Sequence, residues 1–392
     1  MFLHSLEIRN LLSFGPDTEA IPLRPLNVLI GTNGSGKSNF LEAISLLQAS
    51  PQDLSKPIRD AGGIEEWLWK PEGKNVVASV EAVIENPCNK ESLLMHQLIF
   101  EEYRRGLGIV EEYIKDKDPV PGNLEIFPYF CLENRSAILT IGKINGSPVL
   151  KEIDLKSIDN EQSVLQQFVD IERYPEMTLL GKMYRNIKLY REWSIGRYAS
   201  PRLYQDTDGR LSFLEEDFSN LGLILNGIKK NIEAKEMILK YLHNLNGDIK
   251  DFDVDIANGK VQVFLQEKSL SIPATRLSDG TLRFICLLAI LCHPNPPPLV
   301  CIEEPEMGLH PDVIPSLGDL LREASQRMQI IVTTHSSLLV DEFTYTPEDV
   351  IVFDKDNMQT RMRRLSQDEL KAWLDVYSLG GGWVKGLCDG VR

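Results

Sequence analysis

Cysteine is scarce in this 392-residue sequence. The six present (Cys88, Cys131, Cys286, Cys292, Cys301, Cys388) are scattered, and none forms a Cys-x-x-Cys pair. A disulfide framework is therefore not expected, and a reduced, cytoplasmic setting is. Positive charge is also short: 42 Lys and Arg stand against 57 Asp and Glu, a net charge of −15. Phosphate neutralisation dominates duplex binding, so the chain lacks the overall footprint of a DNA binder, though a local basic groove stays open. No apolar run approaches the roughly eighteen residues of a membrane span, so no membrane association is expected. Met1-Phe2-Leu3-His4-Ser5-Leu6-Glu7 lacks the basic start and apolar core of a signal peptide. There is no internal repeat, no long low-complexity tract and no heptad pattern lasting three or four repeats. A long coiled coil is therefore not expected.

What remains is ordinary globular material, 43% hydrophobic and 25% charged, long enough for two or three domains. Leu6-Glu7-Ile8-Arg9 alternates as a half-buried strand does, and Leu26-Asn27-Val28-Leu29-Ile30 is a short apolar run ending at a glycine. Phe40, Leu41, Ala43, Ile44 and Leu47 then fall at helical spacing. Further strands are predicted at Val76–Ile84, Ala137–Ile141 and Val261–Leu265, with turns at Asn145-Gly146 and Asn258-Gly259. A helix with one broad apolar face is predicted over Leu221–Leu245. After the loop His293-Pro294-Asn295-Pro296-Pro297-Pro298, Leu299-Val300-Cys301-Ile302 and Gln329–Thr334 read as central parallel strands, buried on both faces, and Val350–Phe353 as a further strand. Asp368–Tyr377 reads as a terminal helix broken by Gly380-Gly381-Gly382. The expected organisation is one α/β domain built from 1–85 and 270–392, split by a compact α+β lobe at 86–269.

Gly31-Thr32-Asn33-Gly34-Ser35-Gly36-Lys37-Ser38 fits G-x-x-x-x-G-K-[ST] between a strand and a helix. Its glycines let backbone N–H groups point at phosphate oxygens, Lys37 reaches the β/γ-phosphates and Ser38 ligands Mg²⁺. Asn33, Gly34, Ser35, Gly36, Lys37, Ser38 and Asn39 are the expected ATP contacts. Leu299–Ile302 ends in Glu303-Glu304, which sets two acids at the carboxyl edge of a parallel sheet, where ligands bind in such folds. Glu303 would hold Mg²⁺ through its water shell, and Glu304 would act as general base. Ser278 and Gly280 precede the apolar helix Leu282–Leu291; taken alone they are a helix cap, and in this company they suit an anion. Ser278 lies 26 residues before Glu304 (304 − 278) and His335 lies 31 after it (335 − 304). His335 ends an apolar strand, where its imidazole could bond a γ-phosphate.

This ordered set resembles the ABC-type ATPase heads of the RecF, SMC and OLD families. Glu303-Glu304-Pro305-Glu306-Met307-Gly308-Leu309-His310-Pro311 and Leu277-Ser278-Asp279-Gly280-Thr281-Leu282-Arg283-Phe284 are especially similar to the OLD-like AAA-domain ATPases often found in phage-defence operons. The resemblance covers about residues 1–85 and 270–355. It implies a P-loop NTPase fold with a mixed sheet flanked by helices, and a head-to-tail homodimer formed on ATP. Each ATP would lie between one subunit's Lys37 loop and its partner's Ser278 signature. Met307-Gly308-Leu309-His310 would be the D-loop. Three features depart from the pattern. Leu12, in Asn10-Leu11-Leu12-Ser13-Phe14, stands where relatives carry a basic residue. Glu303 replaces the aspartate of SMC proteins. Gln52, the glutamine nearest a Q-loop position, falls early for it. Only 57 residues follow His335 (392 − 335), too few for the Toprim nuclease domain of OLD proteins.

Two functions fit: an ATPase whose cycle opens and closes a dimer in phage defence or DNA repair, or a slow ATP-gated scaffold restraining a separate effector such as a nuclease or toxin. The run Tyr184-Arg185-Asn186-Ile187-Lys188-Leu189-Tyr190-Arg191-Glu192-Trp193, continuing to Arg197, Tyr198 and Arg202, bears on a third question. It either tracks nucleic acid, stacking bases between phosphate contacts, or packs its aromatics inward with arginines outside.

Overall fold

The computed structural model describes residues 1–70, 76–119, 126, 128–134, 136–144, 147–368, 370 and 378–384. Its contacts divide the chain into two units. The first comprises Met1–Arg24, Gly31–Ile187 and Ile351–Arg364; the second comprises Pro25–Ile30, Lys188–Val350 and Leu365–Arg392. Among the described residues no helix is long and apolar enough to cross a membrane.

In the first unit, β1 (Leu3–Arg9), β2 (Ile21–Pro22), β4 (Ala78–Glu85), β5 (Leu93–Tyr103), β6 (Gly106–Asp116), β7 (Pro128–Glu133), β8 (Ser136–Ile144) and β9 (Ser147–Ile153) form an antiparallel sheet in the order β2-β1-β4-β5-β6-β7-β8-β9. Period-two alternation turns Leu94, His96, Leu98 and Phe100 of β5 inward. Such burial obliges polar members to pair. The His96 ring lies 3.1 Å from Tyr184 Oη and 3.2 Å from Glu112, whose other oxygen accepts the Val164 N–H. The sheet pairs β4 with β5 directly, so it continues through residue 85. The hairpin of β17 (Val350–Asp356) and β18 (Gln359–Arg364) and the helix Lys37–Ala49 complete the part of the unit that matters below. Phe40 on that helix meets Phe353 edge-on at 5.6 Å.

In the second unit, β3 (Leu26–Gly31), β10 (Lys188–Tyr190), β15 (Leu299–Glu303) and β16 (Gln329–Thr333) run parallel in the order β10-β15-β16-β3. Strands β15 and β16 are apolar and buried on both faces, as predicted. Parallel neighbours need a crossover, and the helix Ile314–Ser325 supplies it between these two. Register aligns Glu303 with Thr333 and Thr333 with Leu29, so β15 and β16 end together. A smaller antiparallel sheet contains β11 (Gln205–Asp206), β12 (Ile249–Ala257), β13 (Lys260–Glu267) and β14 (Leu270–Pro273). The predicted Asn258-Gly259 turn joins β12 to β13 with φ of 52° and 73°, the left-handed pair that a two-residue hairpin demands.

Two sequence expectations need correction. The helix over Leu221–Leu245 is two helices, Leu221–Ile228 and Ile232–Leu245. Asn231 starts the second by accepting the Ala234 N–H at 2.9 Å, and a side chain satisfying a fresh helix end makes a break there favourable. The Gly380-Gly381-Gly382 run, expected to break a helix, is itself helical within Leu379–Val384. Among the described residues the longest helix, Ile232–Leu245, has 14 residues, so no long coiled coil occurs there. The expected helix at Asp368–Tyr377 falls almost wholly outside the described residues, as do Asn145-Gly146 and Cys388.

Candidate nucleotide site

In the first unit, the chain leaves β3 through Gly31, Gly34 and Gly36, whose φ angles of 150°, 75° and 111° are open to glycine at little steric cost. At Gly31 a side chain would also strike the Phe353 carbonyl. Asn33, Gly34 and Ser38 are exposed, while Ser35 and Lys37 are buried. Lys37 Nζ folds back on its own loop, donating to the carbonyls of Gly31 (2.8 Å) and Thr32 (3.1 Å). The helix Lys37–Ala49 opens with Gly36 as its cap and no side-chain hydrogen bond there, and the buried Ser35 hydroxyl has no partner among the described residues. An uncapped helix start beside an orphaned hydroxyl and a lysine is chemically suited to a phosphate group. Asn39, among the expected ATP contacts, donates from its amide to Ser13 Oγ at 2.8 Å.

In the second unit, β15 delivers Glu303 and Glu304 to the carboxyl edge. Glu303 Oε2 accepts from Arg191 Nε at 3.3 Å, and its main-chain carbonyl accepts from the Trp193 indole at 2.8 Å. At Glu304 the backbone turns left-handed, with φ 46°, a conformation costing about 1–3 kcal/mol in a non-glycine residue. Its N–H is held by the Thr333 carbonyl (3.1 Å) and hydroxyl (3.2 Å). This turn leaves Glu304 Oε1 3.6 Å from His335 Nε2, with both side chains partly open to solvent. Two residues on, Glu306 turns inward. Its Oε1 accepts from Thr334 Oγ1 at 2.5 Å and from the His335 N–H at 3.2 Å, while its Oε2 is buried with no partner among the described residues. Burial, helped by the nearby Glu304 charge, raises the Glu306 carboxyl above the ordinary carboxylate range.

Ser278 caps the helix Asp279–Leu291, which starts three residues earlier than its apolar run. Its hydroxyl accepts the Thr281 N–H at 3.1 Å and stays exposed. Gly280 packs on a carbonyl: a Cβ there would lie 2.6 Å from Gly308 O, with Gly308 itself at φ 76°. The signature turn and the loop Met307-Gly308 are thus fitted to each other. Arg283 reinforces the fit by donating to the Met307 carbonyl while its guanidinium lies 4.4 Å from the Trp193 ring centre. Buried Arg202 clamps the same turn, donating to Leu277 O and Asp279 Oδ1 at 2.6 Å each, with longer bonds to the Ala274 and Ile195 carbonyls.

The basic–aromatic run divides between interior and solvent. Tyr184 and Tyr190 are buried, Trp193 stacks on Phe218 at 5.2 Å, and Arg191 and Arg202 serve Glu303 and the signature turn. Tyr198 remains exposed. Among the described residues no group of three or more His, Cys, Asp or Glu is arranged to hold a metal. Mg²⁺ ordinarily takes only one or two carboxylates together with phosphate oxygens and waters, which a single Glu303 does not contradict.

A family profile described as "AAA domain, putative AbiEii toxin, Type IV TA system" matches residues 26–85 and 141–341, more than half of the chain. The chain belongs to this AAA-domain family. Its fold is similar to that of an Smc head bound to the C-terminal winged-helix domain of ScpA, with a TM-score of 0.59 and 15% identity over 94% of this chain and 99% of the other. It is also similar to the Smc head domain with an extended coiled coil, bound to the C-terminal domain of ScpA and derived from Pyrococcus furiosus. There the TM-score is 0.56 and the identity 14%, over 95% of this chain and 98% of the other. No curated protein is significantly similar in sequence. The fold is that of an ABC-type ATPase head of the RecF/SMC group, as the ordered motifs implied. Within this AAA-domain chain, Arg191, Trp193, Arg202 and Glu306 contact the candidate residues or their turns, contacts that sequence reading missed. The first three stood in a run left open between tracking nucleic acid and packing inward, and Glu306 stood in plain view as a third acid.

Proposed function

We propose that this AAA-domain protein binds and hydrolyses ATP with Mg²⁺ as a head that pairs head-to-tail with a second copy. The observation that carries the reading is the Glu304–His335 pair at 3.6 Å where two parallel strands end. Asn33, Gly34, Ser35, Gly36, Lys37 and Ser38 hold the phosphates, with Lys37 neutralising charge on the transferring group. Glu304 takes the proton of the attacking water, and His335 orients that carboxylate and bonds the γ-phosphate. Mg²⁺, when bound by Ser38 and Glu303, draws charge from the phosphate oxygens. Ser278 and Gly280 face the partner copy's nucleotide, and 1–85 with 270–392 act as the head carrying the 86–269 lobe.

Glu304→Gln is expected to keep ATP binding and lower turnover by about 10²–10⁴-fold, the usual worth of a general base. Lys37→Ala should abolish binding. Phosphate release at the wild-type rate from Glu304→Gln removes Glu304 from the chemistry.

A second reading is favoured by the toxin–antitoxin wording of the family description. In it the head is a slow ATP-gated scaffold acting on a separate nuclease or toxin, in phage defence or, alternatively, DNA repair. Turnover that stays negligible until a partner protein is added would select this reading over the autonomous ATPase. Exposed Tyr198 and Arg197 leave nucleic acid as a further candidate partner, to be tested by binding across salt concentrations.

A further inference from the structure

The phosphate loop rests on a short relay of hydroxyl and amide groups drawn from both ends of the chain. Thr360 Oγ1 on β18 lies 2.8 Å from the Ser35 carbonyl oxygen and 2.7 Å from Ser13 Oγ, and Asn39 Nδ2 donates to Ser13 Oγ at 2.8 Å. A hydroxyl has one proton and a carbonyl can only accept, so the Thr360 proton goes to Ser35. Ser13 then donates to Thr360 Oγ1 while accepting from Asn39. The relay is complete, directional and buried at Thr360, which is fully shielded from solvent. Main-chain bonding pins it further, since the Thr360 N–H donates to the Ser13 carbonyl at 2.7 Å.

The loop is seated on this relay. At Gly36, already at φ 111°, a Cβ would strike Thr360 Oγ1 and come within 2.8 Å of Ser13 Oγ. The carbonyl of Ser35 and the α-carbon of Gly36 thus sit directly on the two hydroxyls. A peptide plane anchored through its carbonyl cannot rotate freely, so the N–H of the next residue, Gly36, keeps a fixed direction. The segment carrying Ser13 is itself held in an unusual course, with Asn10 and Leu12 at φ of 53° and 54° and the Leu12 N–H on the Trp67 carbonyl. Left-handed backbone at a leucine persists only where its surroundings over-determine it.

We propose that Thr360, Ser13 and Asn39 are positioning residues that lock the Ser35–Gly36 peptide in its anion-binding orientation. The inference rests on the reading of Gly31–Ser38 as the phosphate site. It turns Asn39 from a nucleotide contact into a support for the loop. It also gives the β17–β18 hairpin a part in nucleotide affinity.

The test compares Thr360→Val, which keeps the shape and removes the proton, with Thr360→Ser, which restores it, and with Ser13→Ala. Two readouts are taken: hydrogen exchange of peptides covering 31–40 without nucleotide, and titration with a fluorescent ATP analogue and Mg²⁺. Thr360→Val should exchange faster across the loop and bind about tenfold more weakly, the scale of one buried hydrogen bond. Thr360→Ser should recover most of both, and the Ser13→Ala/Thr360→Val double variant should lose little more than Thr360→Val, because the groups act in series. Exchange and affinity within twofold of wild type in a normally melting Thr360→Val would overturn the proposal. Should Thr360→Val not fold, the same two readouts on Ser13→Ala decide it. Undiminished binding by Lys37→Ala would instead bring down the phosphate-site reading, while the exchange comparison still judges the relay.

Discussion

Glu306 shows how much one side chain can hold in place. Its Oε1 gathers the Thr334 hydroxyl and the His335 N–H, and the imidazole of His335 faces Glu304. The buried Glu306 carboxyl therefore holds the main chain of His335, whose ring faces Glu304. Because burial raises the Glu306 carboxyl, the folded chain keeps a proton there after the unfolded chain has released its own. Its contribution to stability is full below the ordinary carboxylate range, near about pH 4.3, and is lost as pH climbs through the raised value. Glu306→Gln retains an oxygen for both donors and cannot ionise. Its melting temperature relative to wild type should therefore rise between that range and neutrality. A difference that stays flat with pH would show that Glu306 is ionised in the folded protein. Glu306→Ala, which abandons both donors, should cost about 1–3 kcal/mol below the raised value and less as pH climbs through it.

Short elements carry the chain around these residues, and their ends matter more than their lengths. The helix Ser337–Asp341, immediately after His335, is covered by the glycine-rich helix Leu379–Val384. Asp341 Oδ1 caps that second helix, accepting from the N–H groups of Gly380 (2.7 Å) and Gly381 (3.3 Å). A Cβ on Gly380 would collide with the Ser337 carbonyl and come within 2.7 Å of Asp341 Oδ1. Glycine is needed here for close approach and not for turning. Gly380→Ala should cost about 1–3 kcal/mol and speed amide exchange in residues 378–384. Asp341→Ala should loosen the same helix by about 1 kcal/mol through loss of its cap. Unchanged exchange in both variants would mean that the helix is held by something other than this contact.

For the whole molecule, the proposed head-to-tail pairing predicts a mass change. Glu304→Gln with ATP and Mg²⁺ should run near twice the 44.4 kDa of one chain by light scattering, and near that mass without nucleotide. Ser278→Arg should stay at the lower mass while still binding ATP, because its bulk sits on the exposed signature turn. A doubled mass in Ser278→Arg would remove that turn from the interface. The AAA-domain family and the Smc-like fold give the architecture, and these masses would test the assembly.

Local chemistry was legible in the sequence wherever it depends on neighbours along the chain. The phosphate loop, the apolar strands β15 and β16, the acids after β15 and the Asn258-Gly259 hairpin are all signalled within a few residues. In each case backbone conformation or burial pattern is set locally. The break before Asn231 and the helical state of Gly380-Gly381-Gly382 were not, because each depends on which side chain or carbonyl lies opposite. Ser13 and Thr360 mark the limit most clearly. They stand 347 positions apart, neither belongs to a motif, and a hydroxyl has no meaning in sequence until its acceptor is known. Only folding brings the two together, since hydrogen bonds are decided by distance in space.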